Sequence, residues 1–248
     1  MALTDNLSFY LECNETSGTR VDSHAARNFT PSGTLNSTTG IIGNGASWPS
    51  LSGVILARNS ETALQPGPSF SYQVWFNSVA ANIDSYAQLV GKDDTSTERQ
   101  WAVYLKGLTN QWALLVRDNT GLFDFQDGVG SWTDSTNYHV IITFNSADGI
   151  MRLYLNTSLH ASTGALTNPI KTNGTHPFEI GARTLGGNAR FSGMMDLIGY
   201  WQRVLTGTEI TTLYNSGAGL SYAVLAGGST TPITVNPPAD SLAGGELI

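Results

Sequence analysis

Hydrophobic and polar residues alternate along several runs of the chain, as they do in strands that bury one face. The clearest run is Phe70–Asn77, in which Phe70, Tyr72, Val74 and Phe76 share one side. A period of two residues predicts a half-buried antiparallel strand. Residues 138–144 and 151–156 alternate in the same way around a turn at 145–149 and predict a hairpin.

Shorter apolar runs between turn signals predict further strands. They are residues 7–12, 41–42, 54–58, 86–92, 101–106, 112–117, 122–126, 177–182 and 194–201. About a dozen short strands, spaced roughly 8–12 residues apart, favour an all-β sandwich or jelly roll.

A single helix is predicted near the end of this pattern, over residues 208–214. Thr206 or Thr208 can cap its start, Glu209 lies in the first turn, and Gly217 can adopt the left-handed conformation that ends a helix. One face of the helix is apolar, so we expect it to dock on the sheet behind the strand at 194–201.

The last segment, residues 226–248, is rich in Gly, Pro and small polar residues. We therefore predict one domain over residues 1–222 and a flexible arm over 223–248. The arm is either a frayed terminus or an extension onto a neighbouring subunit. In the second case its spaced apolar residues would fill pockets or add a strand to a neighbour's sheet. These residues are Ile233, Val235, Leu242, Leu247 and Ile248.

Composition narrows the class of protein. Charged residues make up 12% of the 248 positions, against about 25% in ordinary globular domains. Ser, Thr, Asn and Gly take their place, as on extracellular or virion surfaces. The net charge of −7 argues against nucleic-acid binding. One cysteine, Cys13, excludes an intramolecular disulfide.

The chain carries no run of about 20 apolar residues, so we expect no membrane insertion. Its start lacks the basic region and apolar core of a Sec-type signal peptide. Together with the surface-like composition, this suggests assembly into a phage particle, with an extracellular location as the alternative.

Several segments resemble the concanavalin A-like, laminin-G-like jelly-roll family. Residues 10–30 are similar to its opening strand and Asp-Ser loop, 43–46 to an early Gly-Asn turn, and 137–159 to its central hairpin. Residues 191–219 resemble its closing strand and helix. The resemblance covers roughly residues 7–220 and implies the fold rather than a function, because this fold supports lectins, adhesins, hydrolase appendages and virion proteins.

The resemblance also implies a calcium ion between the early loop and the closing strand. By position the ligands would be Asp22, Asn28 and Asp196, and calcium accepts such carboxylate and carbonyl oxygens. The alternative is that Asp22 caps a turn and Asp196 binds the N-terminal loop. The sequence departs from the family pattern at Leu197 and Gly199, where acidic and basic residues are frequent.

Glycan binding needs an exposed aromatic ring beside amide or carboxylate groups. Of the six tryptophans, we take Trp48, Trp101 and Trp132 as candidates, with burial in the core as the alternative for each. The paired carboxylates of a glycoside hydrolase do not appear at alternating spacing, and Asp93 and Asp94 would point to opposite faces of a strand.

We therefore predict a non-enzymatic phage virion protein that decorates the capsid or tail. Its partners would be other virion proteins, host-surface glycans and further copies of the chain. A lectin or adhesin is the alternative hypothesis, and a glycoside hydrolase is the third.

Overall fold

The computed structural model describes residues 1–94, 96–184 and 189–227. Their strands form two antiparallel sheets that pack face to face. In chain order the strands are β1 (Leu7–Leu11), β2 (Thr30–Pro31), β3 (Asn36–Thr39), β4 (Asn44–Trp48), β5 (Leu56–Arg58), β6 (Phe70–Asn77), β7 (Ala87–Lys92), β8 (Trp101–Lys106), β9 (Gln111–Arg117), β10 (Phe123–Val129), β11 (Tyr138–Asn145), β12 (Ile150–Leu155), β13 (Ser158–Ser162), β14 (Phe178–Ile180) and β15 (Gly193–Trp201). The predicted all-β sandwich is confirmed.

One sheet has eight strands, in the order β13-β12-β11-β6-β15-β4-β3, with β1 added beside β15. Strand β15 pairs with β4 through Gly193–Met195 and with β1 through Ile198–Trp201. A bulge between these halves places Leu197 at φ 48°. The first and last strands of the sandwich therefore lie side by side.

The second sheet has seven strands, in the order β10-β9-β8-β7-β14-β5-β2. Alternate residues of β8 and β9 face the first sheet, because Trp101, Val103 and Leu105 pair with Val116, Leu114 and Trp112 and all six are buried. The residues between them face outward. This outer surface of the seven-stranded sheet contains the candidate site.

The predicted helix is α1 (Gly207–Tyr214). Thr206 caps it, and its hydroxyl and the Glu209 carboxylate form a capping box. The left-handed exit begins at Asn215, at φ 47°, two residues before the predicted Gly217. The helix docks on the outside of the eight-stranded sheet, as predicted, where the Tyr214 ring stacks 5.7 Å from Trp75.

Two details of the strand prediction are wrong. Ile41 and Ile42 lie in the tight turn between β3 and β4 rather than in a strand. This turn is held by the Gly40 amide, which donates to the Gly43 carbonyl at 3.0 Å. The edge strands β2, β3 and β13 are polar and short, and hydrophobic alternation did not reveal them.

The chain continues past residue 222 as a short helix, α2 (Tyr222–Leu225). The Leu225 side chain is buried with Leu213 and Trp201. The packed residues thus include Leu225, three residues past 222. The arm residues Ile233, Val235, Leu242, Leu247 and Ile248 lie outside the described residues. Within the described part, no helix has the length and apolar character needed to span a bilayer.

Candidate functional site

Asp22 stabilises the loop that follows β1. One carboxylate oxygen accepts the amides of Tyr10 and His24, each at 2.9 Å. The other accepts the amides of Ala25 and Arg27, at 3.0 and 2.8 Å. Four N–H donors thus satisfy the carboxylate, which is the turn-capping role considered above.

Asp196 joins the closing strand to a loop far away in sequence. One oxygen accepts the amides of Ile41 and Ile42, at 2.7 and 3.2 Å, and the other accepts that of Leu197 at 2.8 Å. Burial raises the pKa of the Asp196 carboxyl to about 7, although these three hydrogen bonds lower it.

Each side chain that the resemblance implies as a calcium ligand accepts hydrogen bonds from N–H groups in this structure. The Asn28 side-chain oxygen accepts the Asp22 amide at 3.0 Å, so the third candidate also binds an N–H group. Across the described ranges, no group of three or more His, Cys, Asp or Glu residues could hold a metal ion. Calcium binding stays a prediction, which thermal unfolding with excess calcium and with EDTA can test.

The three tryptophans proposed for glycan binding lie in the core, and that prediction is wrong. Trp101 has no exposed surface and Trp48 is 2% exposed. The Trp48 indole donates to the Val54 carbonyl at 3.0 Å. Trp132 is 3% exposed and donates to the Gln111 carbonyl at 3.2 Å. Buried rings present no face on which a sugar could stack.

Exposed aromatic rings occur instead on the outer surface of the seven-stranded sheet. On strand β10, Phe123 is 56% exposed and Phe125 is 38% exposed. Both face outward, because they pair with Arg117 and Leu115 on the side away from the core. The Tyr86 ring lies 6.2 Å from that of Phe125.

Charged groups surround these rings. The Lys106 ammonium pairs with Asp127 at 2.9 Å and lies 5.3 Å from the centre of the Tyr86 ring. The Tyr86 hydroxyl donates to Asp127 at 2.7 Å, which raises the pKa of Tyr86. On the other side, the Arg99 guanidinium lies 5.6 Å from the centre of the Phe123 ring. We call these six residues, Tyr86, Arg99, Lys106, Phe123, Phe125 and Asp127, the aromatic face.

A buried carboxylate fixes Arg99. Asp93 has no exposed side-chain surface and accepts from Arg99 Nε at 2.7 Å and from Arg183 Nη1 at 3.1 Å. It also accepts the Tyr104 hydroxyl, and burial followed by the Asp93 charge raises the pKa of that tyrosine. Two cations and a hydroxyl thus stabilise Asp93 and preorganise the Arg99 side chain over Phe123.

A second buried carboxylate lies on the same surface, at Glu179 of β14. It accepts from the Thr184 amide at 3.2 Å and lies 3.0 Å from His176 Nε2. Asp93 and Glu179 are two buried acids on this surface, and both are bound to neighbouring protein groups. The arrangement is that of an ion and hydrogen-bond network beneath the outer surface of the sheet.

Sequence reasoning missed the aromatic face, although one signal was present. The predicted strand at 122–126 places two phenylalanines at alternate positions, with Asp124 and Gln126 between them. That pattern also describes an ordinary core strand. The distinguishing facts are that β10 lies at the sheet edge and that its register with β9 places both phenylalanines on the side away from the core.

The sequence model of the concanavalin A-like lectin/glucanases superfamily (Laminin_G_3) matches residues 51–211. The chain belongs to this superfamily. The match includes strands β5 to β15 and every residue of the aromatic face. No curated protein matches the sequence.

Several solved structures share this fold. The binding domain of Paraclostridial Mosquitocidal Protein 1 is 18% identical with a TM-score of 0.67, over 87% of this chain and 53% of that one. Domain 4 of AbnA, a GH43 extracellular arabinanase from Geobacillus stearothermophilus, in complex with arabinotriose, is 17% identical with a TM-score of 0.62, over 84% and 97%. The binding domain of Botulinum Neurotoxin DC in complex with SialylT is 17% identical with a TM-score of 0.61, over 87% and 52%.

The chain thus spans about half the length of the toxin binding domains and nearly all of the arabinanase domain. At these identities the likeness concerns the fold.

Proposed function

We propose that this protein is a non-catalytic glycan-binding domain and that the aromatic face is its binding surface. The observation that carries the proposal is the exposure of Phe123 and Phe125 beside fixed charged groups. Exposed aromatic residues that cluster on a soluble domain mark a binding surface. Binding sites of this kind combine apolar rings with a few well-placed polar groups.

The geometry suits a saccharide. A sugar ring has an apolar face of C–H groups, which packs against an aromatic ring, and a rim of hydroxyls that donate and accept hydrogen bonds. Lys106 and Arg99 can donate to such hydroxyls, and Asp127 can accept from them. Their ion pairs hold these side chains in place before a ligand arrives, which lowers the entropic cost of binding.

The comparisons support a binding role. Domain 4 of the arabinanase is in complex with arabinotriose, and the neurotoxin binding domain is in complex with SialylT. A non-enzymatic role is consistent with Asp93 and Glu179, whose carboxylates are bound to arginine, tyrosine, threonine and histidine groups.

We also propose, as the setting of this function, the surface of a phage particle, where glycan contact would serve attachment to a host. The composition supports this, with few charged residues and many Ser, Thr, Asn and Gly. Copurification with particles at fixed stoichiometry, and its loss when residues 226–248 are deleted, would test the setting and the arm together.

The double variant Phe123→Ala/Phe125→Ala is expected to weaken binding at least tenfold, roughly 1.4 kcal/mol or more. Affinity should fall because the variant loses the stacking surface, and central aromatic residues dominate binding energies. The measurement is a glycan array, followed by calorimetric titration of the strongest ligand.

Phe123→Tyr/Phe125→Tyr keeps both rings and should retain most of the affinity. Leu159→Ala is the matched control, since this exposed apolar residue lies on the other sheet. All three variants should keep their stability within about 1 kcal/mol. Full affinity in the alanine double variant would exclude the aromatic face as the binding surface.

A further inference from the structure

A cleft of about 570 Å³ opens at one end of the sandwich, between the ends of β9 and β11. Phe144 and Ile170 form its apolar floor and are 1% and 3% exposed. We call it the end cleft. Its volume falls within the range of about 300–1,000 Å³ that small-molecule sites occupy.

Amide and hydroxyl groups form the walls of the end cleft, among them Asn119, Asn168, Thr172 and Asn173. Asn119, Thr172 and Asn173 are exposed. Among the described residues, no hydrogen bond involves the side-chain amide of Asn119 or Asn173 or the hydroxyl of Thr172. These groups are therefore available to a ligand as both donors and acceptors.

A hydrogen bond to Asp118 holds the Asn168 side chain. Its amide nitrogen donates to Asp118 at 2.9 Å. The side-chain carbonyl oxygen accepts no hydrogen bond from the described residues, so it remains an acceptor for a ligand. A held acceptor above an apolar floor is a preorganised recognition group.

The lining of the end cleft, among the described residues, contains no charged side chain. A charged ligand that enters the cleft would lose its hydration shell and meet no opposite charge, which carries a substantial desolvation cost. An uncharged ligand with several hydroxyls loses little on entry, because amides and threonine hydroxyls replace its water. The chemistry of the lining thus selects neutral, hydroxyl-rich molecules.

Asp118 connects the end cleft to the aromatic face. It is 1% exposed, and one of its oxygens accepts the Thr120 and Leu122 amides, each at 2.9 Å. The other holds Asn168. The turn between β9 and β10 therefore carries Asn119 on the cleft and leads directly into Phe123 on the aromatic face.

We infer that the end cleft is a second saccharide subsite, which takes an uncharged sugar unit. The inference rests on the proposed function, since it assigns a further contact for the same class of ligand. It differs in chemistry, because the aromatic face offers stacking and charge whereas the end cleft offers amides without charge.

The test is a ¹H–¹⁵N NMR titration of the full chain with arabinotriose, cellotriose and maltotriose. We expect backbone amide shifts at residues 119, 168 and 170–173. Thr172→Trp places a bulky ring in the cleft from an exposed position and should weaken that binding more than tenfold. Asn119→Ala and Asn173→Ala should each weaken it about three- to tenfold, the effect of one lost hydrogen bond.

Asn82→Ala is the matched control, an exposed asparagine outside the cleft. Thermal unfolding of each variant confirms that the fold is intact. Trisaccharide shifts confined to the aromatic face, or wild-type affinity in Thr172→Trp, would overturn the inference and leave the proposed function standing. Loss of binding in the cleft variants together with unchanged binding in Phe123→Ala/Phe125→Ala would support the end cleft and overturn the aromatic face.

Discussion

Replacement of Asp93 with alanine is expected to lower the free energy of unfolding by about 3–5 kcal/mol. The Asp93 carboxylate is fully buried and pairs with Arg99 at 2.7 Å and Arg183 at 3.1 Å. Without it, Arg99 and Arg183 lose the Asp93 carboxylate as an ion-pair partner, and the Tyr104 hydroxyl loses a hydrogen-bond acceptor. Breaking one partner of a buried pair costs more than the pair itself contributes, because the remaining charge stays poorly solvated.

The measurement is urea unfolding followed by tryptophan fluorescence. Asp148→Ala removes the matched surface pair, in which Arg152 binds Asp148 at 2.6 Å and the carboxylate is 38% exposed. That pair should contribute at most about 1 kcal/mol. Equal effects of the two substitutions would contradict the role of Asp93. A folded Asp93→Ala protein should also bind glycans more weakly, since Arg99 is no longer held over Phe123.

Replacement of Asp196 with asparagine is expected to remove a pH dependence of stability worth up to about 4 kcal/mol. Burial raises the pKa of this carboxyl from 3.8 to about 7 in the folded state. Between these values the folded protein binds more protons than the unfolded chain. The free energy of unfolding therefore falls as the pH rises through this window, and the contribution is fully present only below about pH 4.

Unfolding of the wild type and Asp196→Asn at several pH values from about 4 to 8 gives the comparison. The relevant quantity is the difference between the two curves, since asparagine brings its own cost by placing an N–H group near the Leu197 amide. The asparagine variant should gain relative to the wild type as the pH rises.

Asp118→Asn is a control for which the free energy of unfolding should change with pH in the opposite direction. Burial works to raise the pKa of Asp118, but hydrogen bonds from Asn168, Thr120 and Leu122 outweigh it and lower the pKa. Its contribution to stability is present above its unfolded pKa and is lost in acid. Parallel curves for the wild type and Asp196→Asn would mean that Asp196 stays ionised, held by its three amides.

The longer elements of the fold follow from local chemistry. Strand β6 matches the predicted Phe70–Asn77, and the hairpin of β11 and β12 matches its predicted position within a residue or two. Their side chains alternate between the core and a polar or covered face, so the period of two is strong. The helix start at Thr206 and Glu209 is equally local, because a capping box lies within four residues.

The exposed residues of the candidate site could not be predicted from hydrophobic alternation along the sequence. Trp101 alternates with Val103 and Leu105, so its burial agrees with the strand pattern rather than with glycan binding. Phe123 and Phe125 alternate in the same way and yet are exposed, because β10 lies at the edge of the sheet. Hydrophobic alternation shows which residues share a face of a strand, while the pairing register and the place of the strand in the sheet decide which face meets solvent.

The hydrogen-bond partners of Asp22 and Asp196 also depend on the tertiary structure. The resemblance implied calcium ligation by Asp22 and Asp196, and the structure shows N–H groups around both carboxylates. Amides of Ile41 and Ile42, 155 and 154 residues away, reach Asp196 only after β15 has joined the sheet. A carboxylate that meets N–H groups fastens a loop, whereas one that meets other oxygens binds a cation.

The pairing of β1 with β15 has a consequence for the order of folding. Leu7 lies opposite Trp201, so this contact closes a loop of nearly two hundred residues. During synthesis the first strand must wait, with its apolar side chains exposed, until the closing strand has left the ribosome. Pairings of such long range fold slowly. We therefore expect nascent chains that end before β15 to depend on chaperones and to aggregate without them.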